Sequence, residues 1–280
     1  MVSAGRLPTY FLCHGGGPWP YMAGAFRRYF DRLEQSLTGM RDELRGLPHA
    51  ILVISGHWET SGFVVSSGER PGMIYDYGGF PEHLYRVRYA APGSPELAHR
   101  VRELLATAGM EVKLDPARGF DHGTFSLMKP LYPDEDIPVV QLSLDAGFDP
   151  ALHIAVGQAL APLRDEGVLM VGSGQSYHNL SNIGGAEGCE ASRQFDDWLQ
   201  QTLIHSAPDT RMARLLRWEQ APAARRAHPR EDHLLPLMVV VGAAEDEAGA
   251  LSYHQNDFIG GITASSFRFG ALPTVVSRSN

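Results

Sequence analysis

The chain has 280 residues, with 24 Lys+Arg against 32 Asp+Glu and a formal net charge of −8 with histidine neutral; no basic cluster interrupts this balance, so nucleic acid and anionic membrane are not expected partners. Hydrophobic residues at 44 % and charged residues at 20 % are ordinary globular values, and the length suits one α/β domain, expected to span 1–280. Cys13 and Cys189 lie outside any CxxC pattern, Met1 to Pro20 lacks a signal-peptide pattern, and Pro236 and Gly242 interrupt the longest apolar run, so a cytoplasmic protein without disulfides or a membrane span is expected.

The first apolar run, Tyr10 to Cys13, predicts a buried strand. Phe26, Tyr29, Phe30, Leu33 and Leu37 then recur at spacings of three and four, predicting a helix with one buried stripe before a second strand at Ile51 to Ser55. Between Gly62 and Ala91, alternation such as Leu84, Arg86 and Arg88 against Tyr85, Val87 and Tyr89 predicts additional strands, some antiparallel at the sheet edge. Ser94-Pro95-Glu96 opens a helix that buries Leu97, Val101, Leu104 and Leu105 and stops at Gly109. After a strand at Val139 to Leu144, Asp149-Pro150 opens another helix, which Gly167 ends before the strand at Val168 to Val171. Ala221 to Arg230 reads as an exposed loop, and Glu231-Asp232-His233 as the acidic opening of a helix that buries Leu234, Leu237, Met238 and Val241. A hydrophobic, strand-like tail follows Tyr253-His254-Gln255-Asn256. Strands alternating with helices predict a three-layer α/β/α domain around a mostly parallel or mixed sheet.

Twelve histidines are many for this length. Three predicted strands run straight into one: the first into His14, the second into His57 and the fourth, through Gly172-Ser173-Gly174-Gln175-Ser176-Tyr177, into His178. Ligands of parallel sheets bind at the carboxyl ends of strands, and neutral imidazole is the commonest protein ligand of transition metals. A single histidine there reads as a buried, hydrogen-bonded side chain; three in equivalent places read as a converging donor set. His233, in the first turn of its predicted helix, also reaches a strand-end site. His122, preceded by Asp121 in a loop bounded by glycines, has acid/base logic, with a nearby carboxylate to set its tautomer. His254 is a candidate substrate contact. Gly15-Gly16-Gly17 lacks the ending of a phosphate loop, and the glycines around Ser173 do not form GxSxG.

Five segments, His14-Gly-Gly-Gly-Pro, Ser55-Gly-His57-Trp58-Glu59-Thr60, Gly119-Phe-Asp-His122-Gly, Ser173-Gly-Gln-Ser-Tyr-His178-Asn-Leu and Glu231-Asp-His233-Leu-Leu-Pro-Leu, together resemble the class III extradiol ring-cleavage dioxygenases, and within them the DOPA 4,5-dioxygenase-type branch. The resemblance implies an α/β domain with Fe(II) at the active site, and Zn(II) in some purified relatives. It implies that His14, His57 and His233 are metal ligands, and that His178 acts as a further ligand or, with His122, as an acid/base residue. A small-molecule catechol such as L-DOPA and O2 are the implied partners, oxygen being inserted beside the diol to give a ring-opened semialdehyde; a monomer or homodimer is expected. His233 stands where the wider class has a carboxylate, which departs from the two-histidine, one-carboxylate set suited to iron. A zinc-dependent hydrolase on the same histidines, or a non-catalytic binding homologue, are the competing readings.

Overall fold

The computed structural model describes residues 5–44 and 48–272. Its elements are β1 (Thr9–Cys13), α1 (Asp31–Glu43), β2 (Ala50–Thr60), β3 (Phe63–Ser66), α2 (Pro95–Thr107), β4 (Val112–Asp115), α3 (His122–Leu131), β5 (Val139–Asp145), α4 (Pro150–Leu160) and β6 (Val168–Gly174). They continue as α5 (Ala186–Leu203), α6 (Pro208–Leu215), α7 (Ala224–Ala227), α8 (Leu235–Gly242), β7 (Gly249–Phe258) and β8 (Ile262–Phe269). All eight strands join one sheet in the order β4-β3-β5-β2-β6-β1-β8-β7. Its centre, β5-β2-β6-β1, is parallel, whereas β8 runs antiparallel to β1 and β7, and β3 meets β5 antiparallel.

The layering follows from two adjacent residues of β6. Neighbouring residues of a strand face opposite sides of the sheet. A Cβ on Gly172 would meet the Pro236 carbonyl oxygen of α8 at 2.5 Å, while Ser173 Oγ donates to the Gly123 carbonyl of α3 at 2.6 Å. Helices α8 and α3 therefore cover opposite faces, which makes the domain three-layered α/β/α. Every residue of α8 is buried, and its Leu-Pro-Leu-Met-Val-Val-Val-Gly sequence, apolar all round, suits a helix enclosed on all sides.

Ser94 caps α2 by accepting from the Leu97 N–H at 3.1 Å, and Asp149 caps α4 by accepting from the Ala151 N–H at 2.9 Å, as their sequences predict. Other expectations are corrected. The helix expected from Phe26 begins as a 3-10 turn (Phe26–Phe30), leaving Phe26 and Tyr29 exposed. Leu84 to Tyr89 is not a strand: the Leu84 and Val87 carbonyls accept from the Tyr77 and Tyr75 hydroxyls, and the segment folds into a 3-10 turn (Glu82–Arg86). Residues 221–230 are not simply exposed, because Ala224, Ala227 and His228 are buried.

Candidate metal centre and active site

The carboxyl ends of the central strands bring five histidines into one cavity of about 580 Å³. His14 follows β1 directly and donates its backbone N–H to the Gly174 carbonyl at 3.2 Å. His57 lies where the β2–β5 ladder breaks between Ile54 and Glu59, an irregularity of the kind that re-aims a side chain. His233 precedes α8, one turn earlier than expected, and its carbonyl accepts from the Gln175 N–H at 3.0 Å. That close approach requires glycine at 174, where a Cβ would lie 2.2 Å from the His233 oxygen.

The Nε2 atoms of these three rings converge: His57 Nε2 lies 3.2 Å from His14 Nε2 and 3.1 Å from His233 Nε2. The other nitrogen of each ring has its own partner. His233 Nδ1 donates to Asp232 Oδ2 at 2.7 Å, and His57 Nδ1 lies 3.2 Å from Asp76 Oδ2, an ion-pair contact that favours a proton on that nitrogen. His14 Nδ1 is 3.0 Å from Ser173 Oγ, whose own proton goes to the Gly123 carbonyl, so Ser173 accepts. A neutral imidazole protonated at Nδ1 carries a lone pair at Nε2. His14 and His233 thus turn lone pairs toward His57 Nε2, and with His57 in the tautomer that Asp76 favours, three lone pairs meet across hydrogen-bonding distances, an arrangement that repels itself unless a cation sits among them. The donor set fits a metal ion, and the Nδ1 partners are those that orient metal-bound histidines. Burial, reinforced by repulsion among neighbouring histidines, drives the pKa values of His14 and His233 well below 6.5. Burial, then repulsion by His122, pushes His57 down to about 3, with Asp76 opposing.

His122 opens α3 instead of lying in a loop. Its Nδ1 and its backbone N–H both donate to Asp76 Oδ1, at 2.8 and 3.0 Å, which leaves Nε2 as the acceptor of a ring lining the cavity. The neighbouring Asp121 does not set this tautomer; it accepts from Ser55, Arg118 and the Thr124 N–H at the start of α3. His178 lies flat on His233, with ring centroids 3.3 Å apart, and its Nδ1 is 4.0 Å from Asp232 Oδ2. Burial lowers its pKa, against the pull of Asp232. Its backbone N–H is held at 2.9 Å by the Ala227 carbonyl, from the segment expected to be an exposed loop.

His254 is not brought to this cavity. It sits on β7, its Nδ1 2.9 Å from Ser265 Oγ and 3.4 Å from Asp196 Oδ2, beside a separate surface hollow. Two carboxylates central to the site, Asp76 and Asp232, escape the sequence reading. Asp232 adjoins His233 but reads as a helix-end charge, and Asp76 lies 46 residues from His122 in a stretch with no metal-site spacing. Glu59 and Arg230, an ion pair, line the cavity too, as do the apolar side chains of Phe80, Phe258 and Ile259 and the ring of Tyr77.

A parallel-centred sheet carrying oriented histidines at its strand ends forms an α/β domain with a site that could hold a metal ion. The family described as the catalytic LigB subunit of aromatic ring-opening dioxygenase matches residues 8–270. Relatives include 4,5-DOPA dioxygenase extradiol of Beta vulgaris, 42 % identical over 270 residues (93 % of this chain, 96 % of that protein). The Escherichia coli K12 protein of the same description is 37 % identical over 247 residues, 87 % of each chain. A crystal structure of an uncharacterized Escherichia coli K12 protein superposes with a TM-score of 0.77 at 32 % identity, covering 95 % of this chain and all of that one. The chain belongs to the LigB family of metal-dependent extradiol ring-opening dioxygenases, on the branch of the DOPA dioxygenases.

Proposed function

We propose that this enzyme holds Fe(II) on His14, His57 and His233 and opens the ring of a catechol bearing an amino-acid side chain, such as L-DOPA, beside the diol. The convergence of three Nε2 lone pairs at one end of the cavity carries the reading. Iron bound there would bring diol and O2 together and pass electrons between them without a separate redox cofactor. The chain's own residues handle the rest. His122, with its proton held on Nδ1 by Asp76, accepts a proton from a catechol hydroxyl at Nε2. His178, on the other side of the donor set against His233, is the second proton-handling group, able to return a proton as the ring opens. Tyr77 and Phe80 supply apolar wall for an aromatic ring. Arg230 and Glu59 offer one charge of each sign, complementary to the carboxylate and ammonium of an amino acid.

The test is oxygen uptake by metal-free protein reconstituted anaerobically with Fe(II), across catechols with and without an amino-acid side chain, with zinc-loaded protein as control. The expected result is uptake with a new visible absorbance, highest kcat/KM for L-DOPA, and loss of both in His57→Ala. Stoichiometric Fe(II) binding with no uptake on any catechol would overturn ring cleavage here, and hydrolytic turnover by the zinc form would favour metal-bound water as the nucleophile.

A further inference from the structure

Asp76 stands on none of the strands that present the histidines. It lies in a loop tied to the chain leading into α3, where the Ile74 N–H donates to the Phe120 carbonyl and the Phe120 N–H to the Gly72 carbonyl, each at 2.8 Å. The same loop supplies Tyr77 and Phe80 to the cavity wall. From there one carboxylate serves two rings: Oδ1 accepts from His122 Nδ1 at 2.8 Å, and Oδ2 faces His57 Nδ1 at 3.2 Å. The two rings lie side by side, with centroids 4.0 Å apart.

We propose that Asp76 is a positioning residue that sets the tautomers of His57 and His122 together, orienting a metal donor and the adjacent proton acceptor with one side chain. Both carboxylate oxygens only accept, so the hydrogen bond from His122 and the 3.2 Å ion-pair contact with His57 both favour a proton on Nδ1 and leave both Nε2 atoms bare. The inference rests on His57 as metal ligand and His122 as proton acceptor, and it makes an asymmetric prediction for Asp76→Asn. The amide has one accepting oxygen. Oδ1 also receives the His122 backbone N–H at 3.0 Å, so the amide oxygen stays on that side and its NH2 group turns toward His57. In the metal-free protein His57 then accepts at Nδ1 and carries its proton on Nε2, so it ligates metal only after giving up that tautomer, at a cost in affinity. His122 keeps its tautomer.

The experiment is nitrogen-15 NMR of the histidine rings in the metal-free full chain, assigned with single histidine substitutions, together with Zn(II) affinity by chelator competition. In the unsubstituted protein, His57 and His122 should both be protonated at Nδ1. In Asp76→Asn, His57 alone should switch to Nε2–H, with His14 and His233 unchanged, and Zn(II) affinity should fall roughly tenfold to hundredfold, the usual cost of losing a ligand's outer hydrogen-bond partner. A proton on Nε2 of either ring in the unsubstituted protein overturns the proposal even if the variant fails to fold; so does an Asp76→Asn protein with both tautomers unchanged. The ring measurement does not depend on turnover. Correct tautomers without oxygen uptake would overturn the ring-cleavage reading alone.

Discussion

In the first turn of α4, against the end of β5, His153 is fully buried and both ring nitrogens are engaged by backbone: Nδ1 donates to the Asp149 carbonyl at 2.7 Å and Nε2 accepts from the Asp145 N–H at 3.3 Å. At the ends of β1 and β2 and before α8, His14, His57 and His233 also have Nδ1 engaged, but the Nε2 atom of His57 meets those of the other two rings, at 3.2 and 3.1 Å, and no backbone group. Burial and depressed pKa are common to both regions, since desolvation also lowers His153. What separates His153 from the three proposed metal donors is the partner of the second nitrogen.

The comparison is broken most sharply by deleting one ring from each region. His57→Ala should abolish stoichiometric metal binding and reduce ring opening by more than the roughly hundredfold that follows loss of an outer hydrogen-bond partner. Yet metal-free His57→Ala should melt at or above the temperature of the metal-free parent, because the deletion relieves the crowding of lone pairs. Metal analysis and calorimetry on both forms check this; a large loss of metal-free stability would place His57 with His153.

Asp232→Asn tests the same logic one bond further out. The Asp232 carboxylate keeps the His233 proton on Nδ1 at 2.7 Å, so its amide should weaken metal binding roughly tenfold to hundredfold and leave the fold intact, as chelator competition would report. His153→Ala should do the reverse. It leaves the Asp145 N–H without its partner, while the Asp149 carbonyl keeps the residue 153 backbone N–H at 3.2 Å; the orphaned N–H costs about 1–3 kcal/mol of stability, while kcat per folded, metal-loaded molecule is retained, and denaturant titration and active-site counting separate the two effects.

The sequence makes His14 and His57 legible because buried parallel strands read as apolar runs, and a histidine directly after such a run is conspicuous. Strand direction then tells where His14 and His57 must go. Their orienting partners are illegible for a physical reason: a tether needs only one correctly placed oxygen, and any element can supply it. Ser173 reads as part of a glycine-rich turn, Asp232 as a helix-end charge and Asp76 as an unremarked loop acid, yet Ser173 and Asp232 hold the Nδ1 atoms of His14 and His233 by hydrogen bonds and Asp76 stands 3.2 Å from that of His57. Asp121 shows the opposite error, being adjacent to His122 in sequence but turned toward Ser55, Arg118 and the start of α3. In the fold, the central strands and the capped helices α2 and α4 follow from pattern and caps. The segment around Leu84 does not, because tyrosine hydroxyls claim carbonyls that an alternating pattern assigns to a strand ladder.

His228 gives the smallest effect and the finest test of the distinction. It is fully buried beside the site, with Nε2 donating to the Ser176 carbonyl at 3.1 Å and Nδ1 without a partner. Burial pushes its pKa from 6.5 down to about 3, against the opposing pull of the Ser176 carbonyl. Between those values the unfolded chain binds a proton that the folded chain refuses, so stability is full above pH 6.5 and is lost as pH falls toward 3. One such group contributes a slope of roughly 1.4 kcal/mol per pH unit well inside that window. His228→Gln keeps a donor for Ser176 but cannot titrate. In metal-free protein, its denaturation free energy should therefore fall by about 1 kcal/mol less than the parent's between pH 6 and pH 5. The other histidines titrate in both proteins and cancel in the difference. Equal slopes would mean that His228 takes up its proton in the folded state, which its orphaned Nδ1 and its burial both oppose.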